Sequence, residues 1–171
     1  PISPKEKMEL LKHYVYSVII QHEDMHTKNL SLIYDKDLVF FAPLYDVSCT
    51  GIYDTSKGYD THLTINGKQS NIRPNDFKAL CKILKIDFKE FKEEAFKIAK
   101  LYEIELPSYI EEIKALGSIP FYKKKQKPRI GEGAYLKVSK IPIEFHELLS
   151  KFHKERVEHL KALGWIINES L

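Results

Sequence analysis

His22-Glu23-Asp24-Met25-His26-Thr27-Lys28-Asn29, followed after two short apolar runs by Leu44-Tyr45-Asp46, is the stretch on which the reading of this chain turns. The runs between them, Leu30-Ser31-Leu32-Ile33-Tyr34 and Leu38-Val39-Phe40-Phe41-Ala42, are β-prone, and Asp35-Lys36-Asp37 has turn chemistry. They read as a hairpin. Asn29 stands just before its first strand and Asp46 just after its second, so antiparallel pairing returns both to the same edge. Asp24, Asn29 and Asp46 are then expected to converge.

Two carboxylates and an amide in one small volume suit a particular chemistry. Hard oxygen donors with few protein ligands fit Mg²⁺, which keeps waters and takes its other oxygens from substrate phosphates. His22, Asp24 and Asn29 also reproduce the His-x-Asp-x-x-x-x-Asn spacing of a protein-kinase catalytic loop. In such a loop one carboxylate accepts the proton of the attacking hydroxyl, and a second group a few residues on turns back toward the metal. The expected roles are Asp24 as base, Asn29 and Asp46 as Mg²⁺ ligands on the ATP phosphates, and Lys28 neutralising the transferring phosphoryl group. His22 reads as a loop scaffold, hydrogen-bonded to backbone.

The pattern Asp-x-x-x-x-Asn is weak alone. Three blocks strengthen it: Asp24-Met25-His26-Thr27-Lys28-Asn29-Leu30-Ser31-Leu32, Ala42-Pro43-Leu44-Tyr45-Asp46-Val47-Ser48-Cys49-Thr50 and Leu63-Thr64-Ile65-Asn66-Gly67-Lys68. In this order they resemble the C-terminal domain of HipA-type toxin kinases, specifically over residues 20–70 and only in helical character beyond. The sequence departs from the family at Gln21-His22-Glu23, where small residues and Asn or Thr are more usual. The resemblance implies nucleotide contacts from His26, Lys28, Asn29, Tyr45 and Asp46. It also implies a Ser/Thr kinase of a toxin-antitoxin pair, held by a HipB-like DNA-binding antitoxin and touching DNA only through it. Family members phosphorylate translation components such as aminoacyl-tRNA synthetases; nothing in these residues selects the substrate.

The expected fold is mainly α with a small β-hairpin, the C-terminal lobe of a protein kinase. Residues 1–171 form one unit, with the catalytic loop and metal-binding hairpin in 20–50 and a helical subdomain in 74–171. A kinase covers the phosphates with a Gly-rich loop and a Lys from an N-terminal lobe. Neither is present here, and the chain opens on Pro1, so the expectation is a fragment whose N-lobe lies elsewhere. Gly131-Glu132-Gly133 lacks a third glycine and reads as a turn.

Composition sets the frame. At 171 residues, 43% hydrophobic, the chain can bury one substantial core, and a net charge of +3 is too small to indicate nucleic acid. Cys49 and Cys81, the only cysteines, fit no disulfide or metal spacing, and neither a signal peptide nor a membrane-length apolar run is seen. The expected setting is the cytoplasm.

Ser3 and Pro4 open a first helix as N-cap and first helical residue, with Met8, Leu11, Tyr14 or Val15, Val18 and Ile19 on its buried stripe. His13 there reads as a surface or packing residue. Residues 51–73 form a long connection, with a short strand at His62-Leu63-Thr64-Ile65, a tight turn at Asn66-Gly67 and a role in substrate selection. Helices are expected from Pro74 to Leu84, from Phe88 to Tyr102 with Asp87 as cap, from Ser108 to before Gly117, and from Pro142 to Gly164. Lys123-Lys124-Lys125-Gln126-Lys127-Pro128-Arg129 reads as a solvated basic loop rather than a contact for nucleic acid or a partner.

Two other function classes fit less well. His22, Asp24 and His26 alternate as zinc ligands of a metal-dependent hydrolase could, if that segment is extended. A pseudokinase or protein-binding module without turnover would share the fold but lack catalysis.

Overall fold

The computed structural model of the protein describes residues 2–125 and 139–167. Residues 126–138, which include Gly131-Glu132-Gly133 and the end of the basic run, lie outside the described residues. The first helix, α1 (Pro4–Ile20), starts as its sequence dictates: Ser3 Oγ accepts the Glu6 N–H at 3.2 Å, with Pro4 in the first turn. Met8, Leu11, Val15, Val18 and Ile19 are buried, and so is His13, whose ring packs edge-on against Phe41.

The hairpin follows as β1 (Leu32–Asp35) and β2 (Leu38–Phe41), Leu32 pairing Phe41 and Asp35 pairing Leu38. Lys36 takes a positive φ of 53° in the two-residue turn between the strands. Glu6 fastens this hairpin to α1 by accepting the Phe41 N–H at 2.6 Å.

A 3-10 turn (Pro74–Phe77) leads into α2 (Lys78–Leu84), and Asp87 caps α3 (Phe88–Ala115) by accepting the N–H groups of Lys89 and Glu90. Helix α3 is longer than expected. The break anticipated between Tyr102 and Ser108 is absent, and Pro107 sits inside the helix. An interior proline costs about 3 kcal/mol, but Leu106, Ile110 and Ile113 continue the apolar stripe and pack on Ile52, Leu148 and Leu149. That packing outweighs the proline.

A second hairpin replaces the start of the expected last helix. Strand β3 (Pro120–Lys125) pairs antiparallel with β4 (Ser139–Glu144), Tyr122 opposite Pro142, and α4 (Phe145–Leu163) begins only after it. Each strand of a two-stranded sheet is an edge, so Pro142 can forgo its N–H bond there. Residues 123–125 of the basic run therefore belong to a strand rather than a loop. Gly164 ends α4 at φ 80°, as expected from its position.

The main core gathers α1, α2, α3 and the end of α4 around Phe77, Phe91 and Trp165. Trp165 is fully buried and donates its indole N–H to the Ile72 carbonyl at 2.7 Å. Among the described residues no helix is long and apolar enough to cross a membrane.

Arg156 of α4 crosses this core to the end of α1. Its Nε donates to the Ile19 carbonyl at 3.0 Å, and its Nη2 donates to the Val18 carbonyl and to Asp60 Oδ1, the last at 2.8 Å. Asp60 Oδ2 accepts the Ile72 N–H at 3.0 Å, and both charged side chains are buried. Breaking a buried, hydrogen-bonded pair by removing one partner costs about 3–5 kcal/mol. Urea denaturation of Arg156→Ala is expected to show a loss of that size, and Arg156→Ala combined with Asp60→Ala a smaller loss than the two single losses added; simple additivity would contradict the pairing.

Candidate active site

The site begins where α1 ends. Gln21 turns left-handed at φ 57°, its N–H reaching the Val18 carbonyl at 3.3 Å while the His22 N–H reaches the Ser17 carbonyl at 2.9 Å. This is the ordinary way a helix closes its last carbonyls, here done by a residue other than glycine. A turn follows, Met25 N–H donating to the His22 carbonyl at 3.2 Å, with Met25 buried and Asp24 exposed. A short 3-10 turn (Thr27–Asn29) closes the loop. Asn29 binds His26 in both directions: its N–H donates to the His26 carbonyl at 3.0 Å, and its Oδ1 accepts the His26 N–H at 2.9 Å.

Of the three residues expected to converge, Asn29 and Asp46 meet, and Asp24 does not share their hydrogen bond. Asn29, 4% exposed, donates its side-chain amide to Asp46 Oδ2 at 2.8 Å. Asp46 holds a left-handed φ of 52°, which aspartate adopts more readily than most residues with a side chain. Its neighbour Tyr45 locks the two ends of the hairpin. Tyr45 Oη donates to the Lys28 carbonyl at 2.6 Å, so the Ser31 hydroxyl, 2.7 Å away, donates to Tyr45. The Lys28 side chain is exposed beside them.

His22 connects this pair to Asp24. Its ring is 2% exposed, and neither nitrogen has a close hydrogen-bond partner. Burial pushes its pKa down, against the opposing pull of Asp24, Asp46 and the Asp46 backbone. Its burial fits a scaffold, but the close backbone hydrogen bond expected of His22 is absent.

Asp24 opens into a cleft of about 570 Å³, lined also by Glu23, Thr50, Tyr53, Lys57 and His62. The far wall comes from the long connection assigned to substrate selection. Asn29 and Asp46 are not among the residues that line that cleft. His26, half-buried, packs its ring edge-on to His62 at 6.4 Å between centroids.

In the connection, the Asn66-Gly67 turn is present, both residues at positive φ, with Ile65 and Lys68 exchanging both backbone bonds. The expected strand before it is reduced to an isolated bridge. The two cysteines are free, and burial pushes the Cys49 thiol up to about 12 and the Cys81 thiol to about 11. Neither is a nucleophile at neutral pH.

The donor set suits a magnesium ion in kind. Asp46 is exposed and keeps Oδ1 clear of the Asn29 bond, whereas Asn29 Oδ1 is already turned to the His26 N–H. In this geometry Asn29 first orients Asp46, and Asp46 is the better-placed ligand. The zinc-hydrolase alternative fails on conformation. The segment from His22 to His26 is a turn rather than an extended strand, and among the described residues no three His, Cys, Asp or Glu side chains are grouped to hold a metal.

Several residues that build the site carry no local signal. The Thr50 hydroxyl donates to the Gln21 carbonyl and accepts the Glu23 N–H, each at 2.7 Å. Glu23 gathers residues 56–59 onto its carboxylate. Gly51 packs where a Cβ would lie 2.5 Å from both Gln21 Oε1 and the Phe152 ring. Of these, Glu23 stood out as a departure from the resembled family and Thr50 closed one of the blocks that resemble it, but neither revealed its partners.

Comparison with known proteins gives one family. The model described as HipA-like C-terminal domain matches residues 2–115, about two thirds of the chain. No curated protein matches.

Two carboxylates, Glu23 at the cleft and Asp76 away from it, predict an acid dependence. For Glu23 burial opposes ionisation, but the Ser56 hydroxyl and the N–H groups of Lys57, Gly58 and Tyr59 outweigh it, and the pKa falls below its usual value. Asp76 behaves alike through Lys68, the Arg73 N–H and Asn66. A carboxylate depressed on folding contributes stability above its unfolded pKa and loses it as pH falls through the folded value. Urea midpoints are therefore expected to fall below about pH 4.5, and the fall to be shallower in Asp76→Asn; identical pH profiles for wild type and variant would contradict this.

Proposed function

This chain belongs to the HipA-like C-terminal domain family, a toxin-related kinase family, and from that premise we propose that it is the catalytic C-lobe of a Ser/Thr protein kinase. It transfers the γ-phosphate of ATP to a hydroxyl of a protein substrate. The observation that carries the reading is the 2.8 Å bond from Asn29 to Asp46, which joins positions on opposite sides of the hairpin beside a buried histidine that also neighbours Asp24.

The residues divide the labour as the chemistry requires. Asp24, exposed at the cleft, accepts the proton of the attacking hydroxyl. Asp46 would hold the metal through the oxygen that Asn29 leaves uncommitted, with Asn29 fixing that carboxylate and standing as the second candidate ligand. Mg²⁺, once bound, neutralises charge on the nucleotide phosphates. Lys28 adds a positive charge beside the transferring group, and the chain of bonds from Ser31 through Tyr45 to the Lys28 backbone holds that segment in place. His26 and Tyr45 border the nucleotide. An N-terminal lobe supplies the cover over the phosphates.

The family reading extends to partners. The substrate is a translation component such as an aminoacyl-tRNA synthetase, and a HipB-like antitoxin holds the kinase and brings it to DNA.

Two variants test the scheme in the full-length protein. Asp24→Asn and Asp46→Asn are each expected to lower phosphate transfer by about 10²-fold or more, the scale of a lost acid-base or electrostatic group. Asp46→Asn should also weaken Mg²⁺-dependent ATP binding, which Asp24→Asn leaves intact. Undiminished transfer in either variant would overturn the assignment, and absence of ATP binding by the full-length protein would favour a scaffold without turnover.

A further inference from the structure

Residues 53–59, which form the far wall of the cleft, bury none of their side chains, although Ile52 before them and Asp60 after them are both buried. Tyr53 rests its ring on Phe121 at 5.8 Å between centroids, and the Gly58 carbonyl accepts the Ser70 hydroxyl at 3.3 Å. The Ser56 hydroxyl and the N–H groups of residues 57–59 gather on one carboxylate. Glu23 Oε1 accepts the Ser56 hydroxyl and the N–H groups of Gly58 at 2.8 Å and Tyr59 at 3.1 Å, and Oε2 accepts the Lys57 N–H at 2.9 Å. Successive N–H groups aimed at one anion form a nest, and this nest is filled by the protein's own side chain.

Glu23 is held from behind as well. Its N–H donates to Thr50 Oγ1, whose hydroxyl donates to the carbonyl of Gln21 at the end of α1. The glutamate is thus a rigid strut. One end is set by the helix terminus and the other carries residues 56–59, which supply Ser56, Lys57 and Tyr59 to the cleft. Asp24 is the next residue in the chain and opens into the same cleft.

We propose that Glu23 is the positioning residue of the substrate cleft, fixing the wall at residues 56–59 relative to Asp24 and so setting how the acceptor segment of a protein substrate is seated. The inference rests on the kinase reading for its catalytic consequence, but the strut itself is a statement about the folded chain. Glu23 touches neither the metal ligands nor the exposed face of Asp46. Its loss changes acceptance of the protein substrate rather than binding of the nucleotide.

The test combines amide exchange with kinetics in the full-length protein. In Glu23→Gln the amides of Lys57, Gly58 and Tyr59 are expected to exchange about tenfold faster, because the charged acceptor is gone, while amides in the middle of α3 keep their protection and report an intact fold. Ser56→Ala, a milder variant, should speed the same amides less. With a pool of Ser/Thr peptides as acceptor, Glu23→Gln should raise the acceptor KM about tenfold with ATP KM unchanged, the pattern of lost ground-state positioning; Glu23→Asp should recover part of it. Unchanged exchange at these amides in both Glu23→Gln and Ser56→Ala, or an unchanged acceptor KM in Glu23→Gln, would overturn the proposal. Asp24→Asn, run in parallel, separates the two levels: transfer that survives it refutes the kinase reading, whereas the exchange rates judge the strut regardless.

Discussion

The arrangement depends on one buried ion pair. Arg156 and Asp60 lie almost wholly out of water, a costly position for either charge alone. The cost is offset because nearly every polar atom has a partner: Arg156 reaches the last carbonyls of α1, and Asp60 holds the Ile72 N–H. Three distant segments meet there. The end of α1, the connection after the hairpin and the last helix are fixed relative to each other, and the turn that carries Asp24 grows directly from that junction. Arg156 lies beyond the stretch matched by the family model, so the far end of the chain clamps the region whose family is recognised.

From this clamp outward the site is built in layers of decreasing burial. His22, Met25 and Asn29 face inward, whereas Asp24, Lys28 and Asp46 face solvent. The buried members set the backbone, and the exposed ones are free to meet a ligand. The left-handed turns at Gln21 and Asp46 are held by their neighbours, Gln21 by α1 carbonyls and Asp46 by Asn29. Strain at such positions persists when the surroundings over-determine them.

Much of this was legible in the residues because the signals were local. The Ser3-Pro4 start, the Asp87 cap, the Gly164 stop and the hairpin each depend on a few neighbouring side chains, and the hairpin brought Asn29 to Asp46. What was misread depended on partners far away. Pro107 looked like a helix break because the packing of Leu106 and Ile110 on α4 cannot be seen from their own neighbourhood. Pro142 looked like a helix start because pairing with Tyr122 spans the intervening residues. Asp60 and Arg156, 96 positions apart, carry no mutual signal at all. Glu23 was noticed as unusual, but its nest lies more than thirty positions downstream.

The central claim is that Asp46, oriented by Asn29, receives a magnesium-nucleotide complex while Asp24 faces the acceptor. The most direct measurement is a crystal structure of the full-length protein with Mg²⁺ and a non-hydrolysable ATP analogue. The expected result is a metal about 2.1 Å from an Asp46 carboxylate oxygen, with the terminal phosphate between it and Asp24. A nucleotide bound elsewhere, or Asp46 turned away from the metal, would contradict it.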